Sequence, residues 1–314
     1  MHYKYQKRGM LGLKALRKAT IRISIVLMIQ LAAPFFIRAG RADQFSPLSY
    51  PENKCLNFDG EGDYVSCGLS TIFKVDKLTI EAWIKPTYSI QLGSNSLYGH
   101  PYGIVASRRA ASGGTPGWWF YFDYQNGPLY FNFRSSGCDY SYHTNKAVWY
   151  NSSWYQIAVT YDRTLPSGNL KFYVNGSLDS QHTESHAISY GDDPLRIGSL
   201  SSSYYGGLID EVRVWNVSRT QTEIQGAWNR TLDGTETANP SLVGYWRFDE
   251  GSGTTSHDYS SQHNDAAFAA IPNDPSWVIY GAPIVPEFTS LIILPLFMIA
   301  TLLAVIVYRR KHFA

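Results

Sequence analysis

The stretch LTIEAWIKP, residues 78–86, alternates apolar side chains with polar or aromatic ones. Its apolar positions are Leu78, Ile80, Ala82 and Ile84. Successive side chains of a β-strand point to opposite faces of the sheet, so this alternation predicts a strand whose two faces differ.

Two further stretches repeat this pattern, WYQIAVTYD (154–162) and LKFYVNGSLDS (170–180). The second contains Asn175 and Gly176, a pair that favours a type I′ hairpin turn because both turn residues need positive φ. Strand-like segments recur about every ten residues, with no long helical pattern between them. This spacing is typical of an antiparallel β-sandwich.

A series of short motifs, in order along the chain, resembles the laminin-G-like, concanavalin A-like jellyroll family. The motifs are CLNFDGEGDYVSC (55–67), LTIEAWIKP (78–86), WYQIAVTYD (154–162), LKFYVNGSLDS (170–180), LRIGSL (195–200), GGLIDEVRVWN (206–216) and GYWRFDEGSGTTSHDYSSQHNDAAF (244–268). The resemblance implies an all-β fold, a two-sheet antiparallel jellyroll sandwich over residues 50–282. A fold alone does not name a ligand, so function has to be argued from the site.

The charge distribution of the chain is uneven. Nine of the 27 basic residues lie in the first 42 positions, and three more are Arg309, Arg310 and Lys311. All 25 acidic residues lie between Asp43 and Glu287, where only 15 basic residues remain. Because phosphate binding needs a clustered basic face, this acidic segment argues against nucleic acid as a partner.

Residues 1–42 are predicted to be a signal peptide or a retained N-terminal anchor helix. Residues 1–22 are basic and contain no acid, and residues 23–37 (ISIVLMIQLAAPFFI) are uncharged and apolar. This apolar run is short for a membrane span of about 20 residues and fits the central region of a secretory signal. Either alternative exports the rest of the chain.

The C-terminal end is predicted to be a transmembrane helix. Residues 289–308 carry no charge, and a basic tail, 309–314, follows them. This length spans a bilayer, and the basic tail marks the cytoplasmic side. The protein is therefore expected at the cell surface, with its central region outside the cell and its C-terminal helix in the membrane.

A tripeptide precedes this helix, within a Pro-rich tether of residues 283–288. Pro286, Glu287 and Phe288 resemble the PEF-type C-terminal sorting signal of archaeal surface proteins. That resemblance implies removal of the tail by an archaeosortase and attachment of another anchor. The alternative is an ordinary stop-transfer helix.

Cys55 and Cys67 are predicted to form a disulfide. They flank a predicted hairpin with loop residues 59–63, and pairing Phe58 with Tyr64 places the two cysteines directly opposite each other. Opposed Cβ atoms are close enough for a disulfide, and an extracellular location favours oxidation. The alternative is two buried free thiols.

The family resemblance also implies a structural calcium ion. Asp59, Asp63 and Asp210 lie in the FDGEGDYV and GGLIDEVR motifs, and related jellyrolls often hold Ca²⁺ near such positions. Calcium takes about six to eight oxygen ligands, which carboxylates and loop carbonyls supply together. The alternatives are turn formation for Asp59 and a backbone hydrogen bond for Asp210.

Aromatic side chains in loops are the candidates for ligand binding. The chain has 23 Tyr and 9 Trp, and such side chains stack on sugar faces at little entropic cost. The candidates in predicted loops are Tyr98, Tyr102, Tyr140, Tyr142, Tyr204 and Tyr205.

The sequence gives little support for an enzyme. Glycoside hydrolysis needs two carboxylates that face each other across a sugar. Asp210 and Glu211 are adjacent, so on a regular strand they would point to opposite faces. The prediction is a non-catalytic surface module that binds glycans. The alternatives are an adhesion protein that binds surface-layer proteins and, third, a polysaccharide hydrolase.

Overall fold

The computed structural model describes residues 53–68, 71–87, 102–107, 115–123 and 127–284. Within these ranges the chain forms mainly β-strands, with a 3-10 turn and two short α-helices. The elements are β1 (Cys55–Asp59), β2 (Val65–Ser66), the 3-10 turn (Thr71–Phe73), β3 (Lys77–Pro86), β4 (Tyr102–Ala106), β5 (Trp118–Phe122), β6 (Leu129–Ser135), β7 (Cys138–His143), β8 (Tyr155–Asp162), β9 (Leu170–Val174), β10 (Ser177–His182), β11 (Arg196–Ile197), β12 (Ser199–Leu200), β13 (Ser203–Tyr204), β14 (Gly206–Trp215), α1 (Gln221–Ala227), α2 (Gly234–Thr237), β15 (Leu242–Trp246), β16 (Thr255–Ser256), β17 (Ala266–Phe268) and β18 (Ser276–Val278).

The strands form two large sheets and one small hairpin. The first sheet has the order β10-β9-β8-β3-β14-β1-β18, with β15 also paired to β14. The second has the order β16-β17-β2-β11-β4-β5-β6-β7, and β12 pairs with β13. Every described strand pair is antiparallel. The predicted all-β, two-sheet antiparallel sandwich is confirmed.

One hydrophobic core receives side chains from both sheets. Ile80 and Ile157 from the first sheet and Phe120 and Phe131 from the second are completely buried in it. Full burial of a large apolar side chain stabilises the fold by about 1.5–3 kcal/mol. Because side chains alternate along each strand, every second residue of these strands points away from the core.

The β9–β10 hairpin has the predicted turn. Asn175 has a φ of +49° and Gly176 a φ of +72°, as a type I′ turn requires. Glycine is also needed at the second position because a Cβ there would lie 2.5 Å from the Trp228 ring.

Helix α1 covers part of the outer face of the first sheet. Its first turn is closed by a capping box, in which Thr220 and Glu223 bond reciprocally. From its apolar side, Ile224 packs with Ala158 and Tyr173 of the sheet. Strand β3 is buried on both faces although its sequence alternates. Its outward residues Thr79, Glu81 and Trp83 bond to Val217, Arg219 and Trp228, which flank α1.

Glu81 is a buried charge under this covered face, with 1% of its surface exposed. Its Oε1 accepts hydrogen bonds from Trp215 Nε1 at 2.9 Å and from Arg219 Nη1 at 2.8 Å. Its Oε2 lies 3.6 Å from Arg213 Nη1, and Arg213 also pairs with Glu211 at 2.7 Å. Buried charges persist when they are paired and hydrogen-bonded in this way.

The hairpin predicted within residues 55–67 does not form, and the predicted Cys55–Cys67 disulfide is wrong. Strand β1 lies in the first sheet, where Cys55 is opposite Val278. Strand β2 lies in the second sheet, between β11 and β17, so Cys67 follows a strand of the other sheet. Both cysteines are buried free thiols, and burial raises the pKa of each.

The predicted terminal segments, residues 1–42 and 286–314, lie outside the described residues, and so does the tripeptide Pro286, Glu287, Phe288. Across the ranges that the structure describes, no helix is long and apolar enough to cross a membrane. The signal peptide, the anchor and the sorting signal remain predictions from sequence.

Replacing Glu81 by Gln should destabilise the fold strongly. The substitution keeps the shape of the side chain but leaves Arg219 without its closest carboxylate. We expect the free energy of unfolding to fall by about 3 kcal/mol, the usual cost of breaking a buried ion pair. Urea denaturation measures it. The control, exposed Glu61→Gln, should shift unfolding by less than about 0.5 kcal/mol. Equal stability of both variants would show that the buried charges are not needed.

The three cysteines should differ in reactivity. Cys138 is exposed whereas Cys55 and Cys67 are buried, so iodoacetamide should modify only Cys138 in the folded protein. After denaturation without reductant, mass spectrometry should find all three alkylated. A single alkylated cysteine in that second sample would restore the disulfide.

Candidate functional site

An aromatic row crosses the outer face of the second sheet. It consists of Tyr121 on β5, Tyr130 on β6 and His143 on β7, which are directly opposite one another in register. The ring centroids of Tyr121 and Tyr130 are 5.6 Å apart, and those of Tyr130 and His143 are 5.1 Å apart. The two tyrosines are half-buried and His143 is exposed, so solvent reaches the row.

A polar row runs beside the aromatic row on the same face. It consists of Asn132 and Ser141, which are opposite each other on β6 and β7, next to Trp119 on β5. Ser141 Oγ donates to Asn132 Oδ1 at 2.8 Å, and the Asn132 side-chain nitrogen donates to the Tyr121 hydroxyl at 3.3 Å. This chain of bonds fixes the amide and the phenol relative to each other. We call the aromatic and polar rows together the outer platform.

Burial controls the ionisation of the platform. It raises the pKa of Tyr121, and the nearby Asp123 carboxylate acts in the same direction. Hydrogen bonds from Asn132 and Trp119 oppose this effect without cancelling it. The Tyr121 hydroxyl therefore stays protonated at neutral pH and remains both a donor and an acceptor.

The β12–β13 hairpin borders one end of the platform. Its Leu200 packs with Ala106 and Trp119 on the outer face. The hairpin lies close to β4 because Gly103, opposite Tyr121, has no side chain: a Cβ there would lie 2.4 Å from Leu200 N. The hairpin therefore forms a wall next to Tyr121.

Strand β10 of the first sheet contacts the other end of the outer platform, at His143. Ser180 Oγ donates to the His143 carbonyl at 3.1 Å, and His182 Nε2 lies 2.9 Å from the same oxygen. Asp179 accepts hydrogen bonds from the backbone of Asn145 and Lys146, at 2.6 and 3.1 Å. These bonds join the edge strands of the two sheets and fix the position of His143.

Of the sequence-predicted tyrosines, Tyr140, Tyr142, Tyr204 and Tyr205 are not part of the platform. Tyr98 lies outside the described residues, and Tyr102 begins β4. Tyr140 and Tyr142 lie on β7 and Tyr204 on β13, so the prediction that these residues occupy loops is wrong. Tyr205 is 1% exposed and belongs to the core, where it cannot reach a ligand.

Tyr140 and Tyr142 point away from the platform and close the edge of the sandwich. Both pack against the hydrophobic core. Tyr140 stacks on His186 with ring centroids 4.1 Å apart, and the Tyr142 hydroxyl donates to the buried Glu184 carboxylate. Their role is to join β7 to the segment that follows β10.

Two carboxylates of the predicted calcium site, Asp59 and Asp63, lie together, and the third, Asp210, lies apart from them. Asp63 Oδ2 accepts from Asp59 N at 2.8 Å, and burial raises the pKa of Asp63 to about 6. Asp59 is opposite Gly206 on β14, so Asp210 lies four residues further along, about 13 Å away at the usual rise per residue. Among the described residues, no three His, Cys, Asp or Glu side chains form a possible metal cluster. Calcium binding stays a prediction.

Asp210 and Glu211 do not lie on a regular strand. The register of β14 shifts between Asp210 and Arg213, and Glu211 has a φ of +51°. Burial raises the pKa of both carboxyl groups, and the charge of Glu211 raises that of Asp210 further. They are 0% and 1% exposed, so this pair does not face a sugar as hydrolysis would require.

The platform residues have a sequence signal that loop-based reasoning misses. In WWFYF (118–122), Trp118, Phe120 and Phe122 enter the core, so Trp119 and Tyr121 must face outward. The same alternation in β6 points Tyr130 and Asn132 outward, where Tyr130 is half-buried and Asn132 is buried beneath its neighbours. Period-two analysis of these two strands predicts the outer platform.

Comparison with known proteins agrees with this fold. No curated protein matches the chain. A Bacteroides ovatus protein, to which carbohydrate binding is provisionally ascribed, superposes with a TM-score of 0.54 and 20% identity over 74% of this chain. The chain spans 61% of that protein's length. At this identity the similarity shows the fold alone.

Two further solved structures match with lower TM-scores. The CBM40 of the Ruminococcus gnavus IT-sialidase, bound to α2,3-sialyllactose, has a TM-score of 0.45 and 13% identity, covering 57% of this chain and 99% of that one. A heptameric SAP-like pentraxin from Limulus polyphemus has a TM-score of 0.40 and 14% identity, covering 55% and 81%. The Laminin_G_3 family, described as the concanavalin A-like lectin/glucanases superfamily, matches residues 59–225, more than half of the 314 residues. This chain belongs to that family.

Proposed function

We propose that this protein binds carbohydrate on the outer platform and does not cleave it. The observation that carries the proposal is the aromatic row of Tyr121, Tyr130 and His143, bordered by a fixed amide and a hydroxyl. Aromatic rings pack against the apolar faces of sugars, whereas amides and hydroxyls bond to their hydroxyl groups. The family membership supports the same reading by analogy of fold.

The platform is preorganised for such a ligand. Three adjacent strands hold its rings, and the Ser141–Asn132–Tyr121 bonds hold its polar atoms before a ligand arrives. Preorganised sites gain affinity because little side-chain entropy remains to be lost on binding. The β12–β13 wall, through Leu200, borders the ligand site at its Tyr121 end.

The proposal places this module at the cell surface. The support is the sequence: residues 1–42 resemble an export signal or anchor, and residues 286–311 contain the tripeptide, the apolar segment and the basic cluster. A glycan of the cell envelope or of a neighbouring cell is then the natural ligand. Anchoring by an archaeosortase and a bound calcium ion belong to the same proposal.

Tyr130→Ala should abolish most glycan binding. The change removes the central ring of the aromatic row, and we expect a loss of affinity of about tenfold or more. A glycan array probed with the purified full-length chain selects the ligand, and calorimetry compares the variants.

The matched control is Tyr280→Ala, since Tyr280 is 70% exposed and far along the chain from β5–β7. It should bind as the wild type does. Thermal melting checks that both variants fold. Equal losses in the two variants, or wild-type affinity in Tyr130→Ala, would refute the platform. Binding only to surface-layer protein would replace this function by adhesion.

A further inference from the structure

Arg196 differs from the other arginines in its pairing. Of the seven arginines within the described ranges, six have a carboxylate oxygen within 4 Å; they are Arg134, Arg163, Arg213, Arg219, Arg230 and Arg247. Arg196 has none among the described residues, although acidic residues outnumber basic ones 25 to 15 between Asp43 and Glu287. In such an acidic domain, an arginine without a carboxylate is a candidate for a ligand contact.

The guanidinium of Arg196 is held in a fixed plane. Its Cζ lies 4.3 Å from the centroid of the Tyr64 ring, a cation–π arrangement. Its Nε is buried and meets no acceptor among the described residues, so the two Nη nitrogens are the atoms left for a ligand.

The strands on either side of Arg196 carry short side chains. Its cross-strand partners are Ser66 on β2 and Ala106 on β4, both small. Ser66 and Arg196 are directly opposite, so the hydroxyl lies on the same face as the guanidinium. A ligand oxygen at this position would bond to both the charged Arg196 guanidinium and the Ser66 hydroxyl.

Arg196 faces the same side of the sheet as the outer platform. In register it is opposite Ala106, which is opposite Trp119, which is opposite Asn132. Three strand spacings separate Arg196 from Asn132, about 14 Å. Leu200 of the wall lies between them, on Ala106 and Trp119. An oligosaccharide seated on the platform therefore reaches Arg196 only across or around the wall.

We propose that Arg196, stacked on Tyr64 and beside Ser66, receives the carboxylate of an acidic sugar, so that the ligand is a carboxylated glycan. This inference rests on the proposed carbohydrate binding. Carboxylate matches the chemistry because the two Nη groups of a planar guanidinium bind two coplanar oxygens bidentately. A neutral sugar offers these groups no charged acceptor.

The test compares each acidic glycan with its neutral form. Galacturonate oligosaccharides and sialylated oligosaccharides are titrated into the full-length chain, each beside its carboxyl-reduced counterpart. The wild type should prefer the carboxylated form of at least one pair by about tenfold or more, as expected for charge-assisted hydrogen bonds. Arg196→Gln should remove this preference while leaving affinity for the reduced form unchanged.

Two further variants make the result specific. Arg196→Lys keeps the charge but lacks the planar fork, and should lose most of the preference. Arg163→Gln is the control, because it removes an exposed arginine charge from another surface, and should keep the preference. Thermal melting verifies folding of all three.

The outcomes separate this inference from the proposed function. Equal wild-type affinity for acidic and reduced forms, with Tyr130→Ala still deficient, would overturn the role of Arg196 and keep the platform. A preference retained in Arg196→Gln would also overturn it. No glycan binding by the wild type would overturn both.

Discussion

The ion pair and hydrogen bonds of the buried Glu81 carboxylate are the interactions on which the arrangement of the protein depends. A sandwich has two outer faces. On the outer face of the first sheet, Glu81 binds Trp215 of β14 and Arg219, which lies in the segment that leads into α1. The charge could not remain there unpaired. Because it is paired, the segments that flank α1 can cover β3, which is buried on both faces. The covered part of that sheet is consequently structural.

The second sheet uses its outer face differently. Its inward residues, such as Phe120 and Phe131, build the core, whereas its outward residues are half-buried aromatics with a polar row beside them. The β12–β13 wall covers only part of this face, and Gly103 is what lets it approach. Arg196 lies beyond that wall, in an acidic domain where the other described arginines are neutralised. We propose that recognition belongs to this outer face, whereas the covered face of the first sheet contributes to stability.

Sequence reasoning succeeds here where structure is local. The alternation in residues 78–86 and the Asn175-Gly176 turn depend on neighbours in the chain, and both are predicted correctly. The Cys55–Cys67 hairpin fails because β1 and β2 pair with strands more than a hundred residues away, in different sheets. Nothing in residues 55–67 specifies those distant partners. For the site, the alternation in β5 and β6 already places Tyr121 and Tyr130 on one face. The tyrosines expected in loops, such as Tyr140, lie on strands that the sequence analysis did not identify.

Nuclear magnetic resonance of the two faces tests the central claim most directly. The reporters are the Trp119 indole and the Asn132 side-chain amide on the second sheet, and the Trp83 indole, whose N–H donates to Trp228 O at 3.0 Å on the first. Titration with a glycan identified on the glycan array should shift the Trp119 and Asn132 signals until saturation. The Trp83 signal should stay unchanged. Saturating shifts at Trp83, with Trp119 and Asn132 unmoved, would contradict the assignment of recognition to the outer platform.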